Sequence, residues 1–262
     1  MDFPLFYCNG CSYSDENYQP EMKEHVYINQ VQQYVGKGFV LNKAISGSNN
    51  KRILRTSLHD LYHQRQLNKS QKIIALIQLT FELRGEIWYP GAQKRDCWAP
   101  EESDFMTHQF SEKLDWRERL LNFLDIGTVN KVNNDIDQEF LNDYSKGRAF
   151  FYSPYQERIN LVSELVMFTN TLKQLNIEFL IFQGPKAELL ENEYLLDFFK
   201  SLLPNDNILN LENFGFCNWC AENNFTPIDK DEELIIGHYG PDAHCAFADN
   251  IIIPELSKLK II

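Results

Sequence analysis

The stretch Lys72–Gln78, KIIALIQ, decides the fold. A half-exposed strand alternates apolar and polar residues; here Ile73, Ile74, Ala75, Leu76 and Ile77 are apolar without interruption. A short run that is apolar on both faces suits a strand covered on both sides, as in the middle of a parallel sheet. Upstream, Asn50–His63 has Ile53, Leu54, Leu58, Leu61 and Tyr62 at helical spacing. Before it, Phe39–Ile45 (FVLNKAI) reads as a strand. Before that, Glu21–Val35 reads as a helix stopped by Gly36 and Gly38, and Pro4–Cys8 (PLFYC) as the first strand.

The same alternation returns downstream. Gln156–Leu175 is a long helical pattern carrying Ile159, Val162, Leu165, Val166, Phe168, Leu172 and Leu175. Ile177–Gln183 reads as a strand, Glu191–Leu203 as a helix and Asn207–Leu211 as a strand. Pro241–Leu259 forms a last helix that Pro254 bends or breaks. Strands alternating with helices predict a three-layer α/β/α sandwich on a mostly parallel, doubly wound sheet. Sites in such sheets lie beyond the carboxyl ends of the strands. Residues 1–262 read as one domain, with Gly85–Tyr152 as an inserted lid or subdomain. That segment is polar and weakly periodic, and contains Trp88, Tyr89, Trp98, Phe105 and Trp116.

Composition narrows the function classes. With 44% hydrophobic residues the 262-residue chain can bury a large core. Its formal charge of −12 disfavours a nucleic-acid backbone or an anionic membrane surface as partner. No apolar run approaches the roughly 18 residues that span a bilayer. Met1–Phe6 has neither the basic start nor the apolar run of a secretory signal, so a cytoplasmic location with reduced thiols is expected. The pairs Cys8/Cys11 and Cys217/Cys220 have a spacing compatible with a four-thiolate zinc site. The first pair straddles a core strand and the second falls within a helical pattern, without the glycine-rich knuckles of zinc ribbons. No metal and no cofactor are therefore expected.

Polar residues gather where the first three strands end: Asn9-Gly10-Cys11-Ser12, then Ser46-Gly47-Ser48-Asn49-Asn50, then Gln78-Leu79-Thr80. A serine at such an edge faces backbone N–H groups, an arrangement suited to acyl transfer. It also needs a base. His25, His59, His63 and His108 fall in helical patterns or in the insertion. His238 and His244 fall in IIGHYGPDAHCAFAD; His238, on a loop just before the last helix, is the better placed, and His244 reads as a packed helix residue.

These blocks resemble the SGNH (GDSL-type) hydrolases, a superfamily of esterases and acyl hydrolases. Gly10-Cys11-Ser12 is similar to the family's Gly-Asp-Ser block with Cys in place of Asp, which implies Ser12 as nucleophile. The resemblance implies that the Ser12 and Gly47 N–H groups donate to the oxyanion. Thr80 stands where the family has asparagine; Asn49 and Asn50 follow Gly47 and either substitute for that donor or cap the next helix. His238 matches the family's histidine, whereas Ile235 stands where its acid belongs. Arg84 either binds substrate or forms an ion pair. The pattern NGCS with GSNN and QLT also resembles a divergent branch of phage and bacterial members. The resemblance implies a serine esterase acting on a small-molecule or glycan ester, for instance O-acetyl groups, with no nucleic acid and no membrane as partner. Two alternatives stay open: a weakly active or inactive ligand-binding protein on the same fold, and a zinc-stabilised interaction protein. The esterase reading requires Ser12 Oγ within hydrogen-bond reach of a His238 ring nitrogen.

Overall fold

The computed structural model describes residues 3–16, 22, 24–46, 48–80, 85–88, 123–126, 154–185, 194–209, 214–230 and 237–262. The strands are β1 (Leu5–Asn9), β2 (Phe39–Asn42), β3 (Ile73–Leu79), β4 (Gly85–Trp88), β5 (Phe123–Ile126), β6 (Glu178–Gln183), β7 (Pro227–Lys230) and β8 (Gly237–Tyr239). The helices are α1 (Tyr27–Val35), α2 (Asn50–Leu67), α3 (Pro154–Gln174), α4 (Tyr194–Ser201), α5 (Phe216–Glu222), α6 (Pro241–Phe247) and α7 (Ile253–Lys258).

Among the described residues the main sheet has four strands in the order β2-β1-β3-β6, all parallel. Tyr7 pairs with Ala75, and Ile77 with Ile181. Beyond β6, a single parallel bridge joins Ile181 to Ile208. Of the strand expected over Asn207–Leu211, Asn207 ends a 3-10 turn and Ile208 makes this bridge, while residues 210–211 lie outside the described residues. Chain order and sheet order together give the doubly wound pattern in which β1 and β3, the central pair, flank the switch point.

Each central strand alternates its side chains between two cores. Phe6, Cys8, Ile74, Leu76, Leu180 and Phe182 pack towards α1, α5, α6 and α7. Leu5, Tyr7, Ala75, Ile77, Phe179 and Ile181 pack towards α2 and α3. This two-residue period under helices on both faces is why β3 is fully buried and, apart from Gln78, apolar.

Element ends follow local chemistry. Gly36 closes α1 in the left-handed region at φ 75°, its N–H returning to Gln32 and Gln33 carbonyls. The start of α1 falls later than expected, at Tyr27, after a turn in which His25 and Val26 N–H groups both bond the Met22 carbonyl. The last helix does not run through: α6 widens into a π-helical turn over Ala248–Ile252 before α7. Pro254 lies in the first turn of α7 and has no N–H for the carbonyl of Asn250, which accounts for the break. Two antiparallel ribbons complete the described structure, β4 with β5 and β7 with β8. The first falls within the expected insertion 85–152, most of which lies outside the described residues. Among the described residues no helix is long and apolar enough to cross a membrane.

Candidate active site

β1 ends at Asn9, whose buried side chain anchors it to α2: Nδ2 donates to Thr56 Oγ1 and Ser57 Oγ, both at 2.9 Å. Oδ1 accepts the Gly10 N–H at 2.9 Å. Beside it, the Tyr7 hydroxyl donates to Asp60 Oδ2 at 3.2 Å. Burial, and then the Asp60 charge, push the Tyr7 hydroxyl well above its ordinary pKa, so it stays a donor. α2 therefore turns a polar stripe to the sheet, and the strand end it holds is the platform for the next turn.

That turn is Cys11–Ser14, closed by the Ser14 N–H on the Cys11 carbonyl at 2.9 Å. Ser12 and Tyr13 are its central residues. Ser12 is half-buried, and its N–H makes no hydrogen bond among the described residues. His238 comes from β8, where Gly240 and Pro241 then start α6. It is placed on a short strand, not on the loop expected from the sequence, and the ribbon register sets it opposite Asp229. Its Nε2 lies 2.7 Å from Ser12 Oγ. The ring packs on Tyr13, centroids 5.0 Å apart at 33°. Residues 226 positions apart thus meet over the carboxyl ends of β1 and β3.

The loop after β2 is stitched to the same turn. Asp15, buried, accepts both the N–H and the hydroxyl of Ser46 at 2.9 Å through Oδ2. The Ser48 N–H bonds the Ile45 carbonyl at 3.1 Å. Gly47, Arg84 and Ile235 lie outside the described residues. Asn49 caps α2, its Oδ1 accepting the Arg52 N–H at 2.9 Å. Asn50 pairs with the Thr80 backbone: Oδ1 accepts the Thr80 N–H at 2.7 Å and Nδ2 donates to the Thr80 carbonyl at 3.0 Å. One amide hydrogen of Asn50 remains beyond that pair. The Thr80 hydroxyl is buried without a hydrogen-bond partner among the described residues. The carboxyl edge thus brings together a serine hydroxyl, an imidazole, an N–H without a hydrogen bond among the described residues and a buried hydroxyl, groups of the kinds that acyl transfer can use.

His244 is buried in an aromatic slot, stacked on Tyr27 at 6.0 Å and 8° and set 4.6 Å from Phe216. Burial, reinforced by His238, pushes its pKa down to about 3, so it is neutral at ordinary pH. Cys8, Cys11, Cys217 and Cys220 are buried free thiols. Burial is the main cause that pushes Cys8 up to about 12, against a weaker opposing hydrogen bond from Tyr27. Cys97 lies outside the described residues. Among the described residues no three His, Cys, Asp or Glu side chains converge as metal ligands.

Sequence reasoning passed over Gln78, Ser14, Asp15 and Tyr27, which hold the Ser12 turn. The available signal was a lone glutamine closing an apolar strand. No protein-family model and no curated protein matches the chain. Among solved structures, it is similar to the psychrotrophic esterase EstA from Pseudoalteromonas sp., inhibited by monoethylphosphonate. The identity is 11%, with 98% of this chain and 99% of that chain covered, and the TM-score is 0.46. It is also similar to TesA, at 11% identity, 97% and 99% coverage and a TM-score of 0.42.

Proposed function

We propose that the chain is a serine esterase or acyl hydrolase of the SGNH type. One observation carries this reading: Ser12 Oγ stands 2.7 Å from His238 Nε2 at the carboxyl edge of a doubly wound sheet. With the imidazole proton on Nδ1, Nε2 accepts the Ser12 proton as Oγ attacks the ester carbonyl. The Ser12 and Gly47 N–H groups, the Thr80 hydroxyl and the remaining Asn50 amide hydrogen receive the oxyanion. His238 then protonates the leaving alcohol. Water, deprotonated by His238, hydrolyses the acyl-enzyme. Asn49 and Arg84 serve substrate binding.

Ile235, in the place of the family's acid, implies slow turnover, since loss of an orienting acid costs on the order of 10⁴ where the acid fixes the tautomer. The same residue favours a second reading, a ligand-binding protein that has kept the pocket. Hydrolysis of an aryl acetate separates the two. Activity is expected to be low and measurable, and Ser12→Ala and His238→Ala are each expected to remove nearly all of it. Their losses do not add, because the pair works as a unit. Undiminished hydrolysis by Ser12→Ala refutes the nucleophile. The finer reading, O-acetyl groups on a glycan, is tested by acetate release from acetylated oligosaccharides.

A further inference from the structure

Gln78 is a polar side chain at the end of a strand otherwise made of apolar residues, and it is fully buried. An unpaired amide there is costly; Leu or Val would avoid that cost. The amide is paired at both ends. Oε1 accepts the Ser14 hydroxyl at 2.7 Å and the Cys11 N–H at a long 3.4 Å. Nε2 donates to the Leu79 carbonyl at 2.5 Å and meets Cys11 Sγ at 3.4 Å. One side chain thus grips the residues on both sides of Ser12 and Tyr13. Ser14 is bonded in turn to the Tyr27 hydroxyl, which also meets Cys8 Sγ.

The space around the amide is made by two glycines. A Cβ on Gly10 would lie 2.8 Å from Gln78 Oε1, and one on Gly184 would lie 2.2 Å from Nε2. The Gly184 Cβ would also fall 2.9 Å from Cδ2 of Tyr13, the ring that supports His238. The backbones of β1 and β6 therefore leave room for an amide at this one place, and the held turn carries both Ser12 and the ring under its base.

We propose that Gln78 is a positioning residue for the nucleophile: its amide fixes the Cys11–Ser14 turn so that Ser12 Oγ and its N–H share one frame with His238. This rests on the Ser12–His238 reading. A misplacement of about 1 Å at a reacting group can cost about 10²-fold. Gln78→Met keeps the length of the side chain and removes both arms. The expected result is a kcat lowered by about 10- to 100-fold, with KM changed less than about twofold, when active sites are counted by stoichiometric phosphonylation. Phosphonylation itself slows in parallel. A merely structural role would lower the melting temperature and leave kcat per titrated site unchanged. Ser14→Ala removes one partner without touching the core strand, carries the test if Gln78→Met does not fold, and is expected to show the same kcat-only loss. Where both variants fold, the double variant is expected to be no worse than Gln78→Met. Wild-type kcat per titrated site in Gln78→Met, in Ser14→Ala where that variant carries the test, or full multiplication of the two losses, overturns the proposal. A wild type that neither hydrolyses esters nor takes up phosphonate removes the underlying reading and this one together, a result distinct from an active enzyme indifferent to Gln78.

Discussion

His244→Phe is expected to flatten the acid side of the stability profile. His244 has an ordinary pKa of about 6.5 when exposed and about 3 when folded, because burial, and then His238, oppose its charge. A histidine depressed in this way gives stability that is complete above about pH 6.5 and is lost as pH falls towards 3. Between pH 6.5 and 4.5 the unfolded chain takes up nearly one more proton at this site, which corresponds to about 2 kcal/mol at about 1.4 kcal/mol per pH unit. Phenylalanine suits the surroundings, since Tyr27 and Phe216 form the slot. It also removes Nδ1, which is buried without a hydrogen-bond partner among the described residues. The assay is urea unfolding of wild type and variant at pH 7.5, 6.5, 5.5 and 4.5. Other carboxylates and histidines titrate in both proteins, so the difference between them isolates His244. The variant is expected to be at least as stable at pH 7.5, and to gain about 2 kcal/mol on wild type by pH 4.5. Parallel profiles would refute the reasoning, because they would mean that His244 is not held neutral by the fold.

Thr80→Val replaces a buried hydroxyl, unpartnered among the described residues, by a methyl of similar size, so the melting temperature is expected to hold or rise while kcat falls by about 10²–10³-fold, the cost of one oxyanion donor. Arg65→Ala is expected to lose about 2–4 kcal/mol in urea unfolding, with hydrolysis per folded molecule unchanged. Its guanidinium donates to the Leu175, Asn176 and Gln71 carbonyls at 2.7–2.8 Å, tying the end of α2 to the end of α3.

The sheet was legible because its strands are apolar on both faces and its helices carry a continuous stripe, signals that buried layers impose on any sequence. The meeting of Ser12 and His238 at the carboxyl edge was legible because a Gly-Cys-Ser turn follows β1 and Gly240-Pro241 marks a helix start. The ribbon that presents His238 was not: β8 has three residues, too few for any period to show. Gln78 stayed hidden because its role depends on Gly10 and Gly184, far apart in the chain and brought together only by the parallel register of β1, β3 and β6. α2 hid its polar stripe for a related reason: what Thr56, Ser57 and Asp60 hold shows only once Tyr7 and Asn9 are set against them.

The central claim, that Ser12 is a nucleophile driven by His238, is tested most directly by covalent labelling. The full chain is treated with a fluorophosphonate and the adduct is located by peptide mass spectrometry. The account predicts one phosphonyl group on Ser12, formed much more slowly in His238→Ala and not formed on Ser12→Ala. An unlabelled wild type, or a label on another residue that persists in Ser12→Ala, would contradict it.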